Sequence, residues 1–67
     1  MNTDVEVRNE GSIFLLTPLT SDARAWFSQH LPDDAQHFGA AVVVEHRYAP
    51  DILEGMTQDG LKLEVVG

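Results

Sequence analysis

Cysteine is absent from the 67 residues of this chain. Its absence excludes both a disulfide framework and a thiolate metal site as means of holding a small domain together. Long hydrophobic runs are lacking too, because the longest, residues 13–16 and 40–44, are far too short to cross a bilayer. The first residues include Asp4, whereas a targeting segment carries Lys or Arg there. We therefore expect a cytoplasmic protein with no membrane contact, whose core depends on packing alone.

Positive charge is the second shortage. Four Lys and Arg residues stand against eleven Asp and Glu residues, which gives a formal net charge of −7 at pH 7. Binding to nucleic acid or to an anionic membrane needs Lys and Arg to displace counterions, so we expect neither as a direct partner. The same charge favours a protein partner with a basic surface, but it also keeps a small protein soluble. Both interpretations stay open.

Catalytic and cofactor motifs are a third absence. No G-x-S-x-G, G-x-G-x-x-G or Walker pattern occurs. The histidines, His30, His37 and His46, lack the close pairwise spacing of zinc ligands. A chain this short also leaves little volume for a desolvated cleft in which paired acids such as Asp33 and Asp34 could exchange protons. We expect no enzyme, no metal and no cofactor.

The first half of the chain predicts a β-hairpin and a helix. Apolar and charged residues alternate over 5–8, as in a half-exposed strand, and Gly11 can take the positive φ that closes a loop onto the apolar strand 13–16. Thr20 or Ser21 then caps a helix that ends at a proline.

The second half predicts strand, helix and strand. Residues 38–45 are too rich in β-branched side chains for a comfortable helix. Pro50 fits the first position of a second helix. Gly60 suits the left-handed position after that helix, and Met56 and Leu61 are then the apolar pair whose contact accompanies a Schellman cap. Alternating residues after the glycine predict a last strand.

This pattern predicts one α+β domain over residues 1–67, with the order ββαβαβ and a four-stranded mixed sheet. If the strand–helix–strand units are parallel crossovers, strands two, three and four are largely parallel and the first is antiparallel. Two helices cover mainly one face, so the other, carrying part of 13–16 and 42–44, is a candidate interface. Short, twisted strands that leave little of it exposed are the alternative.

Parallel strands two and three would also create a candidate anion-binding edge, where their C-terminal ends meet two helix N-termini. The residues gathered there are Thr17, Thr20, Ser21, His46, Arg47 and Tyr48. Arg47 could hold a carboxylate or phosphate at this edge. The alternative is that Arg47 pairs with Glu45 or Asp51.

The acidic residues form a candidate partner-binding surface. Its proposed members are Asp33, Asp34, Asp51, Glu54 and Asp59. Carboxylates on a rigid domain can imitate phosphate spacing and occupy a nucleic-acid site on a basic partner, with fast, salt-sensitive association. The alternative is a solvated surface that serves solubility.

Three segments carry a resemblance to known proteins. They read G-S-I-F-L-L-T-P-L-T-x-x-A-R-A-W from Gly11, L-P-x-D-A-Q-x-F-G from Leu31, and V-V-E-H-R-Y-A-P-D-I-L-E-G-M-x-x-D-G-L from Val43. Residues 11–66 thereby resemble a family of short uncharacterised proteins of bacteria, their phages and mobile elements, which brings no established activity. In size and acidity the chain is also similar to phage-encoded anti-CRISPR inhibitors, several of which block target-DNA binding by an effector complex.

We therefore expect a small acidic protein–protein interaction module, monomeric or homodimeric, that acts by stoichiometric binding. The resemblance implies a narrower version, an anti-CRISPR-like inhibitor that blocks a nucleic-acid site on a CRISPR effector complex by phosphate mimicry. Two alternatives stay open. One is a regulatory or structural module that pairs through its open sheet face, and the other is a small-anion-binding domain.

Overall fold

Seven elements of secondary structure follow one another in the computed structural model, which describes residues 3–32 and 34–66. They are β1 (Val5–Asn9), β2 (Ile13–Pro18), α1 (Ser21–His30), β3 (His37–Phe38), β4 (Ala41–Glu45), α2 (Ala49–Gln58) and β5 (Leu63–Val66). The strands form one sheet in the order β3-β4-β2-β1-β5, and the fold is a small single α+β domain. None of the helices within the described ranges is long and apolar enough to cross a membrane.

The sheet has five strands, so the prediction of four was wrong. The predicted strand over residues 38–45 is two strands, β3 and β4, that form an antiparallel hairpin. Gly39 makes this turn possible, because its φ of +62° lies in the left-handed region that favours glycine.

The same turn explains why the predicted parallel alignment of the second strand with the later strands was wrong, whereas β1 and β2 are antiparallel as predicted. β2 and β4 are antiparallel neighbours, with Ile13 opposite Glu45 and Leu16 opposite Val42. Since β3 is antiparallel to β4, β3 runs parallel to β2. β3, the first strand after α1, therefore has the direction that a parallel crossover requires. The turn between β3 and β4 then reverses the chain, and β4 pairs with β2. β5 pairs with β1 in parallel at the other end of the sheet.

The core lies between one face of the sheet and the two helices. Its buried members are Val5, Val7, Leu16, Ala23, Phe27, Val42, Val44, Ala49 and Met56. The strand residues of this set share a face, because Val7 lies opposite Leu16 and Leu16 lies opposite Val42. Both helices contribute residues to the same cluster. Burial of these side chains is the main driving force for folding.

The helix ends follow the local signals in the sequence. The Thr20 hydroxyl accepts a hydrogen bond from the Ala23 N–H at 3.2 Å and so caps α1. At the end of α2 the Leu61 N–H donates to the Met56 carbonyl at 3.0 Å, and the Gly60 N–H donates to that of Thr57 at 3.1 Å. These two bonds and the φ of +90° at Gly60 confirm the predicted Schellman cap.

Candidate functional site

One face of the sheet is not covered by the helices, and we call it the open sheet face. Its apolar half consists of Ile13, Leu15, Phe38, Ala41 and Val43. Leu15 lies opposite Val43 and Phe38 lies opposite Ala41, so each pair shares a face. None of these five described residues belongs to the hydrophobic core cluster, although Ala41 is itself buried. The strand pattern therefore places an apolar surface opposite the helices.

Phe38 is the most exposed large side chain of this apolar half, with 70% of its surface accessible. Two shallow depressions flank it, with volumes of about 340 and 430 Å³. Both are lined by Glu10 and Leu15 as well as by Phe38. The phenyl ring therefore forms a ridge between two hollows, a shape that a partner's side chains can fill.

The other half of the open sheet face is acidic and lies over β1 and β5. Glu6 is directly opposite Glu64 in the parallel pairing of these strands. Arg8 follows on the same face of β1, and its Nε lies 3.9 Å from Glu10 Oε2. A Glu64 oxygen accepts a hydrogen bond from the Thr3 hydroxyl at 3.0 Å. The open sheet face thus joins an apolar half to a half with excess negative charge.

The candidate anion-binding edge is divided by the fold. Because β2 and β4 are antiparallel, Thr20 and Ser21 follow the end of β2, whereas His46, Arg47 and Tyr48 lie beside its beginning. The Thr20 hydroxyl donates to Asp4 Oδ1 at 2.7 Å. The structure therefore does not bring the members of this edge together, since the parallel arrangement on which it depended is wrong.

Arg47 instead has partners close to it in the sequence. Its Nη2 atom lies 3.7 Å from Glu45 Oε1, and its guanidinium carbon is 4.9 Å from the centre of the Tyr48 ring. The His46 ring lies 4.5 Å from that of Phe14. This agrees with the alternative in which Arg47 pairs with Glu45.

The predicted acidic surface is only partly assembled. Asp33 lies outside the described residues, and Asp34 is exposed in the loop after α1. Asp51 and Glu54 are exposed three positions apart on α2, hence on neighbouring positions of one helix face. They lie on the helix side of the sheet, and Asp51 lines a groove that also reaches Ile13 and Val43 of the open sheet face.

Asp59 is turned toward α1 instead. Its Oδ2 accepts a hydrogen bond from Trp26 Nε1 at 2.7 Å and lies 3.8 Å from His30 Nε2. The Trp26 and His30 rings are stacked, with centroids 4.3 Å apart. These contacts tie the end of α2 to α1, so Asp59 has a structural partner within the fold.

A larger groove of about 580 Å³ lies between the helices and the edge of β4. Leu31, Val44 and Ile52 give it an apolar wall, and the carboxylates of Glu45 and Asp51 also line it. Carboxylates disfavour a small anion here by charge repulsion.

Asp4 is a structural residue that sequence reasoning missed. Besides the bond from Thr20, its Oδ2 accepts one from the Lys62 N–H at 2.8 Å. The Lys62 backbone bond, followed by the Thr20 bond, lowers the pKa of Asp4 from its ordinary 3.8. Asp4 and Lys62 are 58 positions apart, so no local pattern could have revealed the contact.

Neither metal-binding groups nor similarity to known proteins indicates a function. Within residues 3–32 and 34–66, no group of three or more His, Asp or Glu residues is placed to hold a metal ion. Comparison with protein-family models, with curated proteins and with solved structures finds no match for this chain. The similarity to phage proteins and to anti-CRISPR inhibitors therefore stays a prediction.

Proposed function

We propose that this protein is a small interaction module. It binds a protein partner through its open sheet face and acts by occupying a surface of that partner. The observation that carries the proposal is the exposure of Phe38, 70% accessible, beside the partly buried Ile13, Leu15 and Val43. Contiguous apolar surface of this kind marks interaction sites. Burying it is worth about 25 cal/mol per Å² of apolar area.

Charge supports a partner with a basic surface. The chain has a net charge of −7, and the acidic half of the open sheet face places Glu6 and Glu64 side by side. A basic partner would approach faster because of this field and would be oriented by it.

A narrower function, inhibition of a nucleic-acid-binding effector by phosphate mimicry, would use a different surface. The observation that favours it is the exposed pair Asp51 and Glu54 on α2, with Asp34 as a further exposed acid. Charge reversal by Asp51→Lys and Glu54→Lys would abolish binding of such an effector, and the melting temperature would stay near that of the wild type.

Affinity capture from a bacterial lysate that contains CRISPR effectors tests the two surfaces against each other. The baits are the wild type, Phe38→Ser, the Asp51→Lys/Glu54→Lys variant and a matched control, Val65→Ser. Val65 is 72% exposed, as much as Phe38, but it lies opposite the core residue Val7 and so on the other side of the sheet. Thermal melts of every bait check that it is folded.

We expect mass spectrometry to identify a basic protein that Val65→Ser retains and Phe38→Ser loses. A protein captured equally by these two baits would refute the open sheet face as the binding surface. If only the double charge reversal loses it, the phosphate-mimic function replaces the one proposed here. If a copy of the same chain is the only Phe38-dependent capture, the partner is a second copy instead.

A further inference from the structure

We propose that the occupant of the open sheet face is a basic amphipathic α-helix of the partner, lying over β2 and β4 with its cationic side chains directed toward Glu6 and Glu64. This inference rests on the proposed function. It adds the chemistry and the shape of the partner segment to the surface already assigned.

The division of charge across the face is the first argument. Most open-face side chains over β3, β4 and β2 are apolar, and the carboxylates of Glu6 and Glu64 lie over β1 and β5. The exceptions are Thr17, opposite Glu6, and Glu45, which lies at the end of β4 and pairs with Arg47. Arg8, the cation on the same strand as Glu6, already pairs with Glu10. A complementary segment therefore needs apolar side chains along one edge and Lys or Arg along the next, which is the pattern of a basic amphipathic helix.

Width is the second argument. Neighbouring strands lie about 4.8 Å apart, and a helix with its side chains is about 10–12 Å across, so one helix covers about two strands. The apolar half spans the neighbouring strands β4 and β2, with the two-residue β3 at its border. A single helix placed there has its far side above β1, within reach of Glu6 for a long side chain such as Lys or Arg.

A second copy of this chain fits the face less well. In a two-fold arrangement each acidic half meets either the partner's acidic half or its apolar half. The first case brings carboxylates together, and the second buries Glu6 and Glu64 against apolar side chains without a counter-charge. Either arrangement is unfavourable, whereas a cationic helix removes both problems.

The test uses two synthetic peptides of about 20 residues, long enough to form a helix on binding. One has leucines on one helical face flanked by lysines, and the other has glutamates in place of the lysines. Each is titrated into the ¹⁵N-labelled full chain, and amide chemical shifts locate the binding site. Matched charge variants are Glu6→Gln/Glu64→Gln on the open sheet face and Asp51→Asn/Glu54→Gln on α2.

We expect shifts in β2 and β4 with the lysine peptide and binding at least about tenfold weaker with the glutamate peptide. The Glu6→Gln/Glu64→Gln variant should lose about tenfold in affinity at low salt, and the α2 variant less than about twofold. Equal losses in the two variants, or shifts confined to the helices, would overturn the inference.

The two proposals fail separately. If the peptide does not bind but Phe38-dependent capture of a protein persists, the helical partner is wrong and the interaction module stands. If neither the peptide nor any protein depends on Phe38, both are wrong.

Discussion

Replacing Glu64 by Gln is expected to stabilise this fold, although it removes a group that we assign to binding. Glu64 and Glu6 are direct neighbours on β5 and β1, and strands about 4.8 Å apart keep such side chains close together. Like charges directly opposite each other in a sheet are destabilising. Glutamine retains the oxygen that accepts the Thr3 hydroxyl at 3.0 Å, so the main change is the loss of one charge.

The size of the effect follows from exposure and chain length. Cross-strand pairs contribute about 0.2–1 kcal/mol, and because water reaches both carboxylates we expect a gain of about 0.5 kcal/mol. In a domain this small each kcal/mol shifts Tm by about 4–8 °C, so the variant should melt about 2–4 °C higher than the wild type. At about 1 M salt the Debye length is only about 3 Å, and the difference should nearly vanish.

Thermal and urea unfolding of the wild type, Glu6→Gln, Glu64→Gln and the double variant at low and high salt measures this. Because loss of either charge removes the repulsion, the double variant should gain little beyond either single one. Glu54→Gln on α2 is the control, since it removes one charge from another surface. An equal gain in that control would show that net charge rather than the pair is responsible. A lower Tm for Glu64→Gln, or a gain that salt does not reduce, would refute the reasoning.

Two further predictions concern stability. Gly60→Ala should lower the free energy of unfolding in urea by about 1–2 kcal/mol, because a φ of +90° is strained for alanine. No atom lies within 4 Å of an added Cβ, so the cost comes from the backbone conformation and not from a clash. A cost below about 0.5 kcal/mol would contradict this strain argument. The lowered pKa of Asp4 means that its stabilisation is present above pH 3.8, the ordinary pKa, and is lost as pH falls through the folded-state value. Urea unfolding across this range should show a shallower acid loss for Asp4→Asn, and an unchanged slope would contradict the role of the hydrogen bonds.

Local features of the fold could be predicted from the sequence. Thr20 caps α1 and Gly60 ends α2, because each signal acts within a few residues of the backbone that it stabilises. The turn at Gly39 was missed because its neighbours lack the Asn-Gly or Asp-Gly pairing that marks a tight hairpin. That single omission changed the number of strands and the direction of β4.

The candidate site was predictable only in outline. The apolar residues of 13–16 and 42–44 indicated an open face, and Ile13, Leu15 and Val43 do lie on it. The acidic half depends on Glu6 and Glu64, which β1 and β5 bring together from distant parts of the chain. Such a pair follows from strand order and register, which periodicity does not specify.

The pairing of β1 with β5 also has a consequence for how the chain folds. The two hairpins join strands close in sequence, and hairpins form within about 1–10 μs. The β1–β5 ladder, with Val5 opposite Leu63, closes a loop of nearly the whole chain. The chain loses the conformational entropy of this long loop before the ladder's contacts can compensate, so we expect this ladder to form last. Until then β1, which carries two fully buried valines in the native state, is an unpaired edge that other chains can join. The final step of folding therefore also covers the exposed edge of β1, and β5 becomes the edge strand in its place.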